Sequence, residues 1–577
     1  MRTRILLLCA ALAAPQAAGA QTPATLQVGF GAHAITPVGP SPPGWDFVPQ
    51  PLTGVWGETF DDANGNGCYD ISESSLETWT DDPRNTLIDP LSAGKWDGVW
   101  TNAGFGGKCA LGALDDIWAR AVVTTQGGKS VAMVSVDVVG WFQEEVDRVR
   151  AELAASHPQI SLDALIISAT HAHEGPDTMG LWHGVIGLDG KFPLYQQFIR
   201  DRIVRAIADA WNARETAWVR FARGSEARGL RDSRPPIVFD TDVWTAEFVR
   251  PADASTIGTL VNWSNHPEAL GGSNPMISSD YAHSLRERME NVRGGTSIFF
   301  SGSVGGLMTP LSVDNVPGFP SDDRSYARTL ALGEIVADAA IAALGSADFA
   351  GDATIEVAHK DFIIPLENQS LVALNSAGVF DREIAYDESG QIGVLTEMYA
   401  VHLGPAVFIT VPGELFPELA NGGFGRPECP EADTGRPHEP VIRDQFSAEF
   451  PFLLGLGQDE LGYIVPGYDF WGFGVPPDDL GFEIPEPIPD PDPRPPIFVG
   501  VVERVDPCGE SHYEETVSAG SVMAPIVACT AAELAGHDPF GTWDSDPEYA
   551  ACSPENVTTA PGGVELPLDP PELPSLF

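Results

Sequence analysis

Residues 117–177 constrain the architecture more than any other stretch. Ile117-Trp118-Ala119-Arg120-Ala121-Val122-Val123-Thr124 and Ser130-Val131-Ala132-Met133-Val134-Ser135-Val136 read as two β-strands joined by a turn at Gly127-Gly128. Residues 142–156 show helical spacing, with Glu144, Glu145, Arg148 and Arg150 as the charged positions. The apolar run Ala164-Leu165-Ile166-Ile167-Ser168-Ala169 then reads as a buried strand. Strand, strand, helix, strand predicts an α/β chain of mixed layered sheets flanked by helices.

That last strand feeds into Thr170-His171-Ala172-His173-Glu174-Gly175-Pro176, where Gly-Pro stops it. In extended chain, residues two apart share a face, so His171 and His173 are expected to point the same way. Two imidazoles at a strand mouth begin a metal site, for which zinc is the usual guest; two hydrogen-bonded loop histidines are the plainer alternative. Two further strands end similarly. Residues 257–264 run into Asn265-His266-Pro267, and residues 406–411 deliver Pro412-Gly413-Glu414. Two imidazoles and a carboxylate suit a catalytic zinc that keeps a position open for water. Such an ion draws the pKa of water from about 15.7 towards 7. Taken singly, His266 reads equally as a core histidine and Glu414 as a residue at a helix N-terminus.

Met1-Arg2-Thr3-Arg4, an apolar segment at 5–14 and Ala18-Gly19-Ala20 have the form of a signal peptide spanning residues 1–20, which predicts a secreted or periplasmic protein. No later stretch approaches the roughly 20 apolar residues of a membrane helix. Beyond Cys9, the cysteines are Cys68, Cys109, Cys429, Cys508, Cys529 and Cys552, an even set expected to form disulfides. Sequence proximity favours Cys68 with Cys109 and Cys529 with Cys552. The formal charge of -49 argues against nucleic acid and anionic membrane surfaces as partners.

Between these elements lies a second ion motif. With Asp62 as position 1, Asn64 falls at 3, Asn66 at 5, Gly67 at 6, Asp70 at 9 and Glu73 at 12, with Cys68 among the ligand positions. This is the spacing of a twelve-residue calcium loop, in which short oxygen side chains on a tight turn encircle the ion. An ion-free Asn/Gly/Asp surface turn is the alternative. No flanking helices are evident, so the loop is expected to pin an insertion near 58–110. Residues 195–213 read as an amphipathic helix with Phe198, Ile199, Ile203, Ala206 and Ile207 inward. Ser301-Gly302-Ser303-Val304-Gly305-Gly306 lacks the lysine and spacing of a phosphate loop. Near 483–497 a Pro/Asp-rich insertion is expected, and residues 555–577 form a Pro-rich tail.

Taken together, these segments resemble the neutral ceramidase family. The matching pieces are Val28-Gly29 with Ile35-Thr36, Ala119-Arg120-Ala121, Val136-Asp137, Ser168-Ala169-Thr170-His171-Ala172-His173, Asn262-Trp263 with His266-Pro267, Pro412-Gly413-Glu414 and Gly462-Tyr463. They fall in the family's order over residues 28–463, with a weaker likeness at His512-Tyr513-Glu514. The resemblance implies one catalytic domain at 21–554 with a neutral-ceramidase-like fold. It implies zinc held by His171, His266, Glu414 and Tyr463, with His173 beside the metal acting on substrate or water. It also implies that Arg234 contacts the substrate. The sequence departs from the family where the nucleophilic serine is expected, since Gly305 stands there.

The resulting expectation is a secreted zinc hydrolase that cleaves an amide of a small molecule or lipid by zinc-activated water, the N-acyl linkage of a ceramide-like lipid being the instance the resemblance implies. One alternative is the same site acting on esters or non-lipid amides. Another is a calcium-stabilised binding protein without catalysis, for which Gly305 speaks. A metallo-β-lactamase-like site is disfavoured, because an Asp is needed where Gly175 stands.

Overall fold

We describe a computed structural model of the chain. It covers residues 25–36, short paired segments between 59 and 109, and residues 112–557 apart from 183–188, 192, 275, 307, 381, 387–389 and 474–503. The signal segment, the calcium-loop motif at 62–73 (Asp62, Asn64, Asn66, Cys68, Asp70, Glu73), the Cys68–Cys109 pair, the Pro/Asp-rich insertion and the tail lie outside the described residues.

The apolar runs of the first half pair into one eight-stranded sheet. Its strands are β1 (Leu26–Ala34), β2 (Trp118–Gln126), β3 (Lys129–Val136), β4 (Ala164–Ala169), β5 (Glu215–Ser225), β6 (Asp242–Val249), β7 (Thr256–Trp263) and β8 (Thr296–Ser301). Their order is β8-β7-β6-β5-β1-β2-β3-β4. The pairs β3/β4 and β7/β8 are parallel and the rest antiparallel. Parallel neighbours need a crossover, and helices provide it. The helices are α1 (Gln143–Ser156), α2 (Pro193–Asn212), α3 (Tyr281–Arg293) and α4 (Tyr326–Leu344), of which α1 joins β3 to β4 and α3 joins β7 to β8.

A five-stranded sheet follows, made of β9 (Ile355–Pro365), β10 (Ile384–Tyr386), β11 (Ile392–Leu403), β12 (Ala406–Thr410) and β13 (Phe450–Leu454), ordered β9-β11-β12-β13 with β10 paired to β11. The two sheets pack face to face, and period-2 alternation shows how. Val122, Val131 and Met133 from the large sheet share a core with Phe408, Phe452 and Leu454 from the small one. Their neighbours Val123, Ala132 and Val134 point to the opposite face, against Val146, Ile199 and Ile203 of α1 and α2. On the outer face of the small sheet, Val407 and Ile409 meet Met523 and Val527 of α5 (Met523–Leu534). The layers are therefore helices, sheet, sheet and helix, and strands buried on both faces read as the continuous apolar runs seen in the sequence. This is the mixed layered α/β architecture expected.

Several of the family-like segments serve as stitches between these layers. At the end of β3 the Asp137 carboxylate accepts two hydrogen bonds from Arg286 of α3, both 2.8 Å, and a third from the Trp118 N–H at 2.9 Å. Asn262 in β7 donates to the Leu453 carbonyl (2.8 Å) and accepts from the Leu453 N–H (3.2 Å), tying the sheets together. Gly29 and Gly31 let α2 lie directly on β1, because a Cβ at either would strike the backbone of Ala210 or Ala206. The Cys529–Cys552 disulfide is present as expected, and a second, Cys429–Cys508, joins segments that proximity did not suggest.

Candidate active site

Three strand ends converge where the sheets meet. The strand preceding the histidine pair stops at Ala169, earlier than the sequence suggested, so strand alternation is not what aligns His171 with His173. Instead His171 takes a left-handed backbone conformation, φ 65°. That conformation is sparsely populated by residues with a side chain and gathers at functional sites. The turn is held from outside, since the His173 N–H donates to the Pro267 carbonyl at 3.1 Å. His266 follows β7, and its N–H donates to the Met308 carbonyl at 2.8 Å. Glu414 follows β12 and pairs with Tyr463 in a two-residue parallel bridge.

The structure brings His171, His173, His266 and Glu414 together. Ring centroids of His171 lie 4.8 Å from His173 and 4.7 Å from His266. One nitrogen from each of the three rings falls within 4.8 Å of the other two. The Glu414 Oε2 atom lies 3.1 Å from His266 Nε2 and 3.4 Å from His171 Nε2. On the far side of each ring, His171 Nδ1 sits 2.7 Å from the Val139 carbonyl and His266 Nδ1 2.8 Å from that of Met308. A carbonyl accepts only, so each Nδ1 donates to one, and each Nε2 is the atom turned towards the carboxylate. Two imidazole nitrogens and a carboxylate oxygen meeting in a buried site form a donor set that could hold a metal ion. Outer carbonyls that fix the tautomer are also the usual second layer of a metal-binding histidine.

Burial pushes the Glu414 carboxyl up, but His171 and His266 outweigh it and hold it at about 2. Burial would depress the His266 ring, yet the hydrogen bond to Glu414 and the charges of Glu268 and Glu414 raise it. His173 is lowered well below the ordinary histidine range by burial and by its two neighbouring rings. Its Nδ1 lies 3.5 Å from Glu268 Oε2.

A pocket opens onto this group, with Val139, Phe142, Met179, Leu181, Leu371 and Phe380 among its apolar lining residues. His171, His173, Glu414, Tyr463, Glu460 and Arg382 also line it. Tyr463 lines the same pocket as Glu414. Arg234 does not line the pocket. It is 4 % exposed, and its guanidinium donates to Asp469 Oδ2 (2.9 Å), Glu514 Oε2 (2.7 Å) and Glu515 Oε1 (3.3 Å).

Gly305 has a steric reason. A Cβ there would lie 2.6 Å from the Glu414 carbonyl oxygen and 2.7 Å from the Leu415 carbonyl carbon, so no side chain fits beside the Glu414 strand end. Ser303 does not replace the missing hydroxyl. It is fully buried, donates to Asp240 Oδ2 at 2.9 Å and lines no part of the pocket.

The sequence reading missed Glu268 and Glu460. The segment carrying Glu460 and Tyr463 reaches the site by closing the free edge of β4, where Gln458 N–H donates to the Ile167 carbonyl (2.8 Å) and Gln458 Oε1 accepts from Ile167 N–H (2.7 Å). Such a pairing across nearly three hundred residues leaves no local sequence signal.

The fold is similar to that of solved neutral ceramidases. The solved neutral ceramidase of Pseudomonas aeruginosa matches with a TM-score of 0.51 at 15 % identity, over 77 % of this chain and 69 % of that one. A ceramidase complexed with C2 matches at the same TM-score and identity, over 76 % and 69 %. The likeness establishes the fold. No protein-family model matches the sequence, and no curated protein does.

Proposed function

We propose that this chain is a metal-dependent amide hydrolase, acting on the N-acyl bond of a lipid-like substrate and exported from the cell. The observation that carries the reading is the convergence of His171 Nε2, His266 Nε2 and Glu414 Oε2 in one buried group. Two neutral imidazoles and a carboxylate suit zinc. His171, His266 and Glu414 would hold it, with Tyr463 supplied from the paired strand end. When bound, zinc supplies Lewis acidity to a carbonyl and a water.

The chain's own groups divide the remaining work. His173, kept neutral by burial, is suited to accept the proton of the attacking water and return it to the leaving nitrogen. Glu268 orients that ring from behind. The apolar wall seats the acyl chain and excludes water. No serine is among the described residues that line the pocket, so water is the nucleophile in this scheme.

Two disulfides and the N-terminal signal pattern support export, and the loop at 62–73 would hold calcium as a brace for its insertion. Purified protein should release amine and fatty acid from a short-chain ceramide in a zinc-dependent manner. Turnover of acyl esters alone would move the assignment to an esterase.

A further inference from the structure

A second group of side chains with metal-ligating atoms stands away from the pocket, on the small sheet. His359 and Asp361 lie two apart in β9, and Glu397 faces Asp361 across the ladder in β11. Residues two apart in a strand share a face, and directly opposed residues bring their side chains close, so the three project together. His359 Nε2 is 2.7 Å from Glu397 Oε2 and 3.4 Å from Asp361 Oδ1. One ligand atom from each residue lies within 4.8 Å of the other two. None of the three is among the described residues that line the pocket.

An ordinary ion pair needs only His359 and Glu397. Here two carboxylates converge on the same ring nitrogen, and two of the three groups are held in place from other directions. Glu397 is buried, and its Oε1 accepts from Gln143 Nε2 (3.2 Å), from Gln458 Nε2 and from Arg150, which leaves Oε2 to His359. The His359 ring stacks on Tyr399, with centroids 4.3 Å apart and planes inclined by 24°. Donors fixed in advance lose little freedom when a ligand arrives. Asp361 is exposed, so it is free to close onto an ion, and water reaches the remaining positions. Arg150 offsets one of the two carboxylate charges, and the other favours a cation. Calcium takes six or more oxygens and magnesium a near-ideal octahedron with several waters. An imidazole among carboxylates suits zinc and its neighbours in the transition series instead.

We propose that His359, Asp361 and Glu397 form a second, solvent-accessible zinc site that braces residues 458–463 from outside the pocket. The link runs through Glu397. Gln458 donates to that carboxylate and to the Leu165 carbonyl of β4 (3.1 Å), and the residues that follow it carry Glu460 and Tyr463 into the pocket wall. Zinc on Glu397 Oε2 would pin the hub on which Gln458 hangs. The inference is independent of the reaction assigned to the buried histidine group.

The test titrates zinc, by calorimetry at neutral pH, into the untagged full-length protein and into His359→Ala and Asp361→Asn. Both variants change side chains that reach solvent, so the fold is expected to tolerate them. His359→Ala should lack one binding event that the wild type shows. Asp361→Asn should weaken that event by about tenfold or more, since even loss of an outer partner costs roughly 10–100-fold. Calcium at the same concentration should not compete for it. Hydrogen exchange reads the brace: excess zinc should slow the backbone amides of residues 458–463 further in the wild type than in His359→Ala. Superimposable isotherms for the wild type and His359→Ala, or displacement of the event by calcium, would overturn the zinc site. Equal zinc-induced protection of residues 458–463 in the two proteins would overturn the brace.

Discussion

The Oε2 atom of Glu414 lies 3.1 Å from Nε2 of His266, and the Nδ1 of the same ring is spent on the Met308 carbonyl 2.8 Å away. The ring is thus turned with its Nε2 towards the carboxylate. Removing either member of this pair should empty the centre. His266→Ala and Glu414→Gln are each expected to weaken zinc binding by more than the roughly 10–100-fold that loss of an outer partner costs. Plasma mass spectrometry of dialysed protein reads this directly, and retention of one zinc per chain in both variants would refute the assignment of ligands.

Gly305→Ser restores the residue type expected of the family but should not restore its chemistry. The new Cβ would meet the backbone of Glu414 and Leu415 at 2.6 and 2.7 Å, and nothing there is a flexible side-chain end. We expect a loss of roughly 1–3 kcal/mol in stability from overpacking, with lowered zinc affinity because Glu414 is displaced. Urea unfolding measures the first and metal titration the second. A stable, faster enzyme would show that the loop is pliable.

Arg234 gives a contrasting prediction, because its place is between acids rather than in the pocket. Asp469, Glu514 and Glu515 are all buried with it. Arg234→Met should cost about 3–5 kcal/mol, as expected when one partner of a buried ion cluster is removed. Lysine cannot reproduce the forked contacts, so Arg234→Lys should recover little. If either variant folds with wild-type stability and only KM rises, the arginine contacts substrate after all.

Glu439 sets an expected pH dependence of stability. Burial raises its carboxyl from the ordinary 4.5 to about 7, against a hydrogen bond from the Gly467 N–H. The folded chain therefore holds this proton more tightly than the unfolded chain. The stabilisation is whole below about pH 4.5 and is lost as pH rises through about 7. Between about pH 5 and pH 8 the wild type should lose up to roughly 3 kcal/mol relative to Glu439→Gln, measured by urea unfolding at each pH. Parallel pH profiles for the two proteins would contradict this.

Much of the frame was legible in the sequence where periodicity is strong. The strands around Ala119, Val134 and Ile167 and the helices at Gln143 and Tyr195 lie within a residue or two of their expected places, since runs buried on both faces and amphipathic stripes leave clear patterns. His171, His173, His266 and Glu414 were legible because each sits beside a breaker at a strand end. The reason they converge was not. His171 turns through a left-handed conformation rather than continuing the strand, and only tertiary contacts such as that of His173 with Pro267 hold it there. Glu460 and Glu268 carry no local signature, and the Cys429–Cys508 bridge spans 79 residues.

The most direct test of the metal-dependent amidase assignment is the rate of amine release from a short-chain ceramide by purified protein, before chelation, after exhaustive chelation and after zinc is returned. The account predicts activity that vanishes with the metal and returns at about one zinc per chain, with His171→Ala inactive throughout. Undiminished hydrolysis by chelated protein, or full activity in His171→Ala, would contradict it.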